Sequence, residues 1–322
     1  MPDITVTDVE RARERIAGLV DPSPVIRSPL LAGRLGIDVW LKLENLHPPG
    51  SFKVRGAANK ILALPDAERR NGVIASSAGN HGVAVAYVAQ RLGVPATICL
   101  PETVDPIKLR AISRYGAETV VHGATFDEAL RHSQHLQKER RLAYIHPFDD
   151  PHVIAGQGTI GLELLDQVPD LAAIVMAVSG GGLAGGIGLA LKSRRPSVHV
   201  TGASARLAAA MVHSLRAGHP VDVPYQKTLA EVLTGGIGSP NRWSLDAVRN
   251  FVNDHVLVGE ADIGKAMQFA LSAHRVVVEG GGAVPLAAVL AGQIRPETGP
   301  LVIVVSGGNV DPATILALEG TL

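Results

Sequence analysis

The sequence predicts an α/β protein with largely parallel sheets. Short β-branched runs alternate with amphipathic, helix-length stretches along most of the chain. Glycine is in excess, at 35 of 322 residues. Its clusters fall where a strand candidate gives way to a helix candidate. Strand–helix alternation implies parallel strands joined by right-handed crossovers. This length accommodates two domains or one large α/β domain.

The strand candidates, in chain order, are Val39–Leu43, Val73–Ser76, Ala96–Leu100, Thr119–His122, Ala173–Val178, Val198–Gly202, His255–Val258 and Leu301–Val305. Each is a short apolar or β-branched run bounded by turn residues. The helix candidates are Gly82–Leu92, Phe126–Arg141, Gly158–Val168, Leu183–Arg194, Ala261–His274 and Pro285–Ala291. The charged helix Phe126–Arg141 and the polar turn His146–His152 interrupt the pattern, so a domain edge is expected there. A smaller α/β unit, 66–149, would then be inserted into a larger one made of 1–65 and 150–322.

Composition excludes several classes. Thirty basic and thirty acidic side chains cancel, no Lys/Arg run could follow a phosphate backbone, and aromatics are only 3%. A nucleic-acid partner is therefore not expected. One cysteine rules out an intramolecular disulfide framework and a Cys-based zinc site. Cys99, in the apolar run ATICL, reads as a buried structural thiol. The N-terminus is charged from residue 3, and no apolar stretch approaches the ~20 residues of a membrane span. A cytoplasmic protein without a membrane partner is expected.

Four segments carry candidate chemistry. The densest glycine cluster is Ser179, Gly180, Gly181, Gly182, Leu183, Ala184, Gly185 and Gly186, after the strand candidate AAIVMAV. Such a strand-to-helix turn converges backbone N–H groups on an anion at a helix N-terminus. Residues 180–185 match G-x-G-x-x-G, but Arg194–Arg206 holds no acid for a ribose, which disfavours a nicotinamide-dependent oxidoreductase. A single-phosphate site and tight strand–helix packing both remain open. Lys53 follows a Pro-Pro-Gly turn between Phe52 and Val54. A lysine in an apolar pocket has a lowered pKa and serves as a nucleophile or base, although an ordinary surface lysine fits the segment as well. Ser77, Ala78, Gly79, Asn80 and His81 form a polar turn that either offers N–H groups to a carboxylate or caps a helix. His81 is either a base or a packed histidine. Ser306, at the carboxyl end of the last strand candidate, either bonds a ligand ring or sits in a plain turn.

Taken together, ENLHPPGSFKVRGA, SSAGNHG, SGGGLAGG and SGGNVD resemble the fold-type II pyridoxal phosphate enzymes, and within them the serine/threonine dehydratase and serine racemase group. HPFDDPHVIAGQGTIGLELL and VVEGGGAVPLAA extend the likeness over nearly the whole chain. The resemblance implies two open, twisted, mostly parallel sheets in two domains, like the tryptophan synthase β fold. It implies pyridoxal 5'-phosphate as cofactor, an amino-acid substrate and a homodimer. Lys53 matches the lysine that holds the cofactor through its amine, and Phe52 would pack beside the ring. Asn80 matches the partner of the cofactor's 3-hydroxyl, and Ser77 to His81 the substrate carboxylate loop. Ser179, Gly180, Gly181, Gly182 and Leu183 match the phosphate loop. Ser306 matches the hydroxyl facing the pyridine nitrogen, and Gly236 a stretch that approaches the cofactor. The implied reaction is β-elimination from a 3-hydroxy amino acid, giving a 2-oxo acid and ammonia.

Departures from relatives sharpen the expectation. Racemases of the group carry a serine where this chain has Ala78, so racemisation is disfavoured. Val54 stands where β-replacement enzymes of the fold have aspartate. Ser204, Ala208 and Ala210 stand where cation-binding relatives place acids, so no metal is expected there. The chain stops soon after SGGNVD, so neither an appended regulatory domain nor isoleucine feedback is expected. TLAEVLTGGIGSPNRWSLD, 228–246, resembles the dehydratases linked to hydroxyectoine utilisation. There Glu231, Asn241 and Arg242 would tune the pocket for a larger substrate, or simply be loop residues.

Overall fold

The computed structural model describes residues 4–296 and 298–318. Its ten strands are β1 (Val25–Arg27), β2 (Val39–Leu43), β3 (Val73–Ser76), β4 (Ala96–Leu100), β5 (Glu118–Val121), β6 (Ala143–Tyr144), β7 (Ala173–Ala177), β8 (His199–Ala205), β9 (Asp254–Val258) and β10 (Leu301–Val305). They form a six-stranded sheet in the order β1-β2-β10-β7-β8-β9 and a four-stranded sheet in the order β5-β4-β3-β6. Every pairing is parallel except β1 with β2.

Strict alternation explains why the larger sheet is covered on both faces. Leu41, Val175 and Ile303 point into one core with Val284 and Leu286 of the helix Gly280–Leu290. Ile174, Met176, Val302 and Val304 point into the opposite core with Ile160 and Ile187. Parallel strands buried on both faces read as continuous apolar runs, as these do. The smaller sheet packs Val73, Ala75 and Ile98 against Val83 and Val85 of the helix Asn80–Leu92. Cys99 faces Ile74 and Leu136 on its other side, and burial pushes its thiol up to about 11. None of the described helices is long and apolar enough to cross a membrane.

Two helices begin five or more residues earlier than the sequence pattern suggests. The helix starting at Pro151 runs to Gln167, not from Gly158, because Asp150 accepts from the N–H groups of His152 and Val153 and Pro151 occupies the first turn. The Gly280–Leu290 helix starts five residues before Pro285, where the sequence pattern opens it. Gly280 and Gly282 lie against the backbone carbonyls of Leu229 and Gly307, and Gly281 against the Val232 side chain. A Cβ at any of them would collide, so these glycines make a close-packed helix start.

Candidate active site

The site is built at the carboxyl ends of parallel strands, where open α/β sheets bind ligands. Lys53 opens the helix Lys53–Ala63, which packs against the helices Asn80–Leu92 and Pro151–Gln167. Val54, Ala57 and Ile61 pack into the core of the smaller sheet. Arg55 points the other way, fully buried, into a closed ionic group. Its guanidinium donates to both oxygens of Glu44, both oxygens of Glu163 and the Thr159 hydroxyl. All of its N–H donors are thereby used. Lys42, on β2, donates to Glu163 (2.6 Å), Gln167 (2.8 Å) and the Ser23 carbonyl (2.9 Å). His47 and Ser23 donate to Glu44. Two cations and two carboxylates balance, so the lysine helix is tied to β2 and to the Pro151–Gln167 helix without net buried charge.

The turn before Lys53 is tied to the last strand. Phe52 N–H donates to the Ser306 carbonyl at 3.0 Å, and Ser51 bridges Gly307. The Ser306 side chain is buried and its hydroxyl has no protein partner among the described residues. The Lys53 ammonium donates to the Pro147 carbonyl at 2.7 Å and lies 5.1 Å from the Phe52 ring centroid. Lys53 keeps an open side, yet the surrounding protein desolvates its amine and lowers the pKa to about 8, with Glu279 opposing.

Asn80 begins the helix that follows β3. Its Nδ2 donates to Glu279 Oε1 at 2.6 Å, and its Oδ1 accepts from Asn309 Nδ2 at 2.7 Å. One Nδ2 hydrogen stays available. The first-turn N–H groups of Asn80, His81 and Gly82 have no intrahelical acceptor. Gly79 N–H donates to the Ser77 hydroxyl, and Gly82 packs on the Ser77 carbonyl so closely that no Cβ fits. Ala78 is half-buried beside them. His81 is buried, donates from Nε2 to the Ile145 carbonyl at 2.8 Å, and is held neutral with a pKa of about 3 by burial and Lys53. That is a packed histidine, too weakly basic to take a proton near neutrality.

Glycines 180 to 182 serve packing and leave N–H groups free at the same time. Gly180 and Gly182 lie on Phe148, and Gly181, at φ +89°, lies against Met211, Val248 and the Ser244 carbonyl. The helix Gly182–Arg194 starts here, with Leu183 buried in its first turn. Its unpaired N–H groups and its dipole favour an anion. Ser179 donates to the Leu233 carbonyl at 2.8 Å. The structure does not bring Gly236 against these residues. It is exposed, near Asp222 and Gly238, in a turn where Gly235 and Gly238 take positive φ. Ser204 is buried and donates to the Val178 carbonyl at 2.7 Å.

Glu279 is the functional candidate that sequence reasoning misses. It is buried, its Oε2 has no partner, and desolvation raises its pKa to about 7. An acid between Val-Val and Gly-Gly-Gly is the available signal.

The residues fit the expected cofactor. They supply a desolvated amine, a serine hydroxyl with no protein hydrogen bond among the described residues, a spare amide hydrogen and a glycine-lined helix N-terminus. The family model described as "Pyridoxal-phosphate dependent enzyme" matches residues 16–307. A "Putative threonine dehydratase" of Sinorhizobium fredii is 42% identical over 311 residues, 97% of this chain and 94% of that protein. An "L-threonine ammonia-lyase" of Thermotoga maritima is 40% identical over 308 residues, covering 96% of this chain and 76% of that protein. Among solved structures, maize serine racemase superposes with a TM-score of 0.93 at 34% identity, covering 98% and 96% of the two chains. A threonine deaminase from T.th. gives 0.88 at 39% identity, covering 95% and 99%.

Proposed function

The chain belongs to the pyridoxal-phosphate dependent enzymes, and from that premise we propose that it deaminates a 3-hydroxy amino acid by β-elimination. L-threonine is the first candidate, L-serine the second, and a hydroxyectoine-derived amino acid the third. The observation that carries this reading is the Lys53 amine, 2.7 Å from the Pro147 carbonyl beside the Phe52 ring and lowered to about 8 by desolvation. The names of the threonine-acting relatives support the substrate class.

Lys53 would hold the cofactor, with Phe52 packed beside it. Asn80 would offer its spare Nδ2–H to the cofactor's 3-oxygen. Ser179 and the N–H groups of Gly180 to Leu183 would hold the phosphate, and the Ser306 hydroxyl would face the pyridine nitrogen. When bound, pyridoxal phosphate supplies a sink for the electron pair left at Cα. The N–H groups of the Ser77–His81 loop bind and orient the substrate carboxylate. The Lys53 amine takes the Cα proton, and its lowered pKa leaves a working neutral fraction near pH 7. The Cα–H and Cβ–O bonds break, water leaves, and hydrolysis gives a 2-oxo acid and ammonia. A neutral serine at the pyridine nitrogen favours this elimination over transamination.

Ala78 argues against a racemase, because it provides no proton to the opposite face of Cα. Val54 argues against β-replacement. We take 66–149, which holds the four-stranded sheet, as the smaller domain, and 1–65 with 150–322 as the larger. We also take the protein to be a cytoplasmic homodimer, on the family resemblance, and light scattering tests the dimer. The deciding experiment is 2-oxo acid release from L-threonine, L-serine and hydroxyectoine-derived amino acids, with chiral analysis of recovered substrate. Wild type should be yellow and release 2-oxo acid without racemising, and Lys53→Ala should lose both colour and turnover. Racemisation without 2-oxo acid would overturn the reading.

A further inference from the structure

Two surface segments are each seated on a different half of the site. The helix Pro106–Ser113 follows β4, and its buried Ile112 sits directly over Gly82. Its position is therefore coupled to the Ser77–Gly82 turn. On the opposite side, the short turn Glu231–Leu233 presses Val232 into the space a Cβ on Gly281 would need. Its Leu233 carbonyl accepts from Ser179. This turn is coupled to Glu279 through the Gly280–Leu290 helix start, and to the phosphate loop.

One ion pair joins the two segments. Lys108 Nζ lies 2.8 Å from Glu231 Oε2, across 123 residues of chain. Both side chains keep solvent exposure, 39% and 60%. A pair so exposed does little for folding. Both charges act on buried Glu279, Lys108 lowering its pKa and Glu231 raising it. A second link crosses nearby, from the Tyr115 hydroxyl to the Pro48 carbonyl at 3.4 Å.

We propose that Lys108 and Glu231 are a positioning pair that clasps the substrate-carboxylate loop in register with the phosphate loop and thereby sets substrate affinity. The proposal rests on the reading of Ser77–His81 as the carboxylate loop. Because each segment is firmly seated, the pair acts on the relative placement of the two loops. Its effect should fall on KM more than on kcat or stability.

The test uses Lys108→Glu, Glu231→Lys and the double charge swap in the cofactor-loaded full chain. Each single variant sets like charges face to face. KM for the 3-hydroxy amino acid should rise about two- to fivefold, with kcat and the thermal midpoint nearly unchanged. The swap should restore KM. Hydrogen exchange gives a readout independent of turnover. Without substrate, residues 77–83 and 106–113 should exchange faster in each single variant and return to the wild-type rate in the swap. Single variants that match wild type in KM and exchange, or a swap that restores neither, would overturn the clasp. If exchange follows the swap while wild type turns over no 3-hydroxy amino acid, the clasp stands and the substrate reading falls.

Discussion

Arg55→Met tests whether the buried ionic group holds Lys53 in place. The substitution keeps much of the side-chain volume but removes every guanidinium hydrogen bond to Glu44, Glu163 and Thr159. Two buried carboxylates are left with one buried cation, Lys42, which pairs with Glu163 and not with Glu44. Removing one partner of a buried ion pair costs about 3–5 kcal/mol, a large share of a typical total stability of about 5–15 kcal/mol. The pH dependence should change as well. Burial would raise the Glu44 pKa, but the Arg55 charge and the hydrogen bonds from His47 and Arg55 hold it well below its ordinary value. A carboxylate with a depressed folded pKa stabilises the fold above its unfolded pKa, near 4.5, and that stability is lost as pH falls through the folded value. Without Arg55, acid unfolding should begin nearer neutrality. The assay is urea unfolding of the cofactor-loaded chain between pH 4 and 8, with release of the yellow cofactor followed alongside. The variant should unfold at lower urea and release cofactor at urea concentrations where wild type retains it. An unfolding free energy within about 1 kcal/mol of wild type, with unchanged cofactor retention, would refute the argument.

Three further outcomes follow from the site. Lowering the Lys53 pKa from 10.5 to about 8 raises the neutral amine at pH 7 by ~300-fold, so cofactor capture by the apo chain should accelerate about tenfold per pH unit and level off near pH 8, read by stopped-flow absorbance. Glu279→Gln keeps an acceptor for Asn80 but removes a group that titrates at about 7, so a wild-type limb of the kcat/KM profile near that pH should vanish while cofactor stays bound. Gly181→Ala places a Cβ at φ +89° against Met211 and Val248, and should cost about 2–4 kcal/mol of stability and weaken cofactor retention in dialysis.

The legible and illegible parts of this molecule divide by the reach of the contacts involved. Strands β3, β4, β7 and β10 are readable because burial on both faces makes them short continuous apolar runs. Edge strands β1 and β6, with three and two residues, are too short to carry a period. The turns after β3, β7 and β10 are readable because glycine and small polar residues at a strand end are a local signal. Lys42 is not, because a lysine in the strand Val39–Leu43 reads as solvent-facing until Glu163, 121 residues away, turns it inward. Glu279 is the same case, its hydrogen bond to Asn80 closing 199 residues of chain. At Gly180 to Gly182 the structure meets the packing reading and leaves the N–H groups of the anion reading unpaired. Phe148, Met211 and Val248 block the Cβ positions, while the first-turn N–H groups stay free. The groups proposed to meet a ligand therefore announce themselves locally, whereas Arg55, Lys42 and Glu279, which fix where those groups stand, depend on partners that only the folded chain supplies.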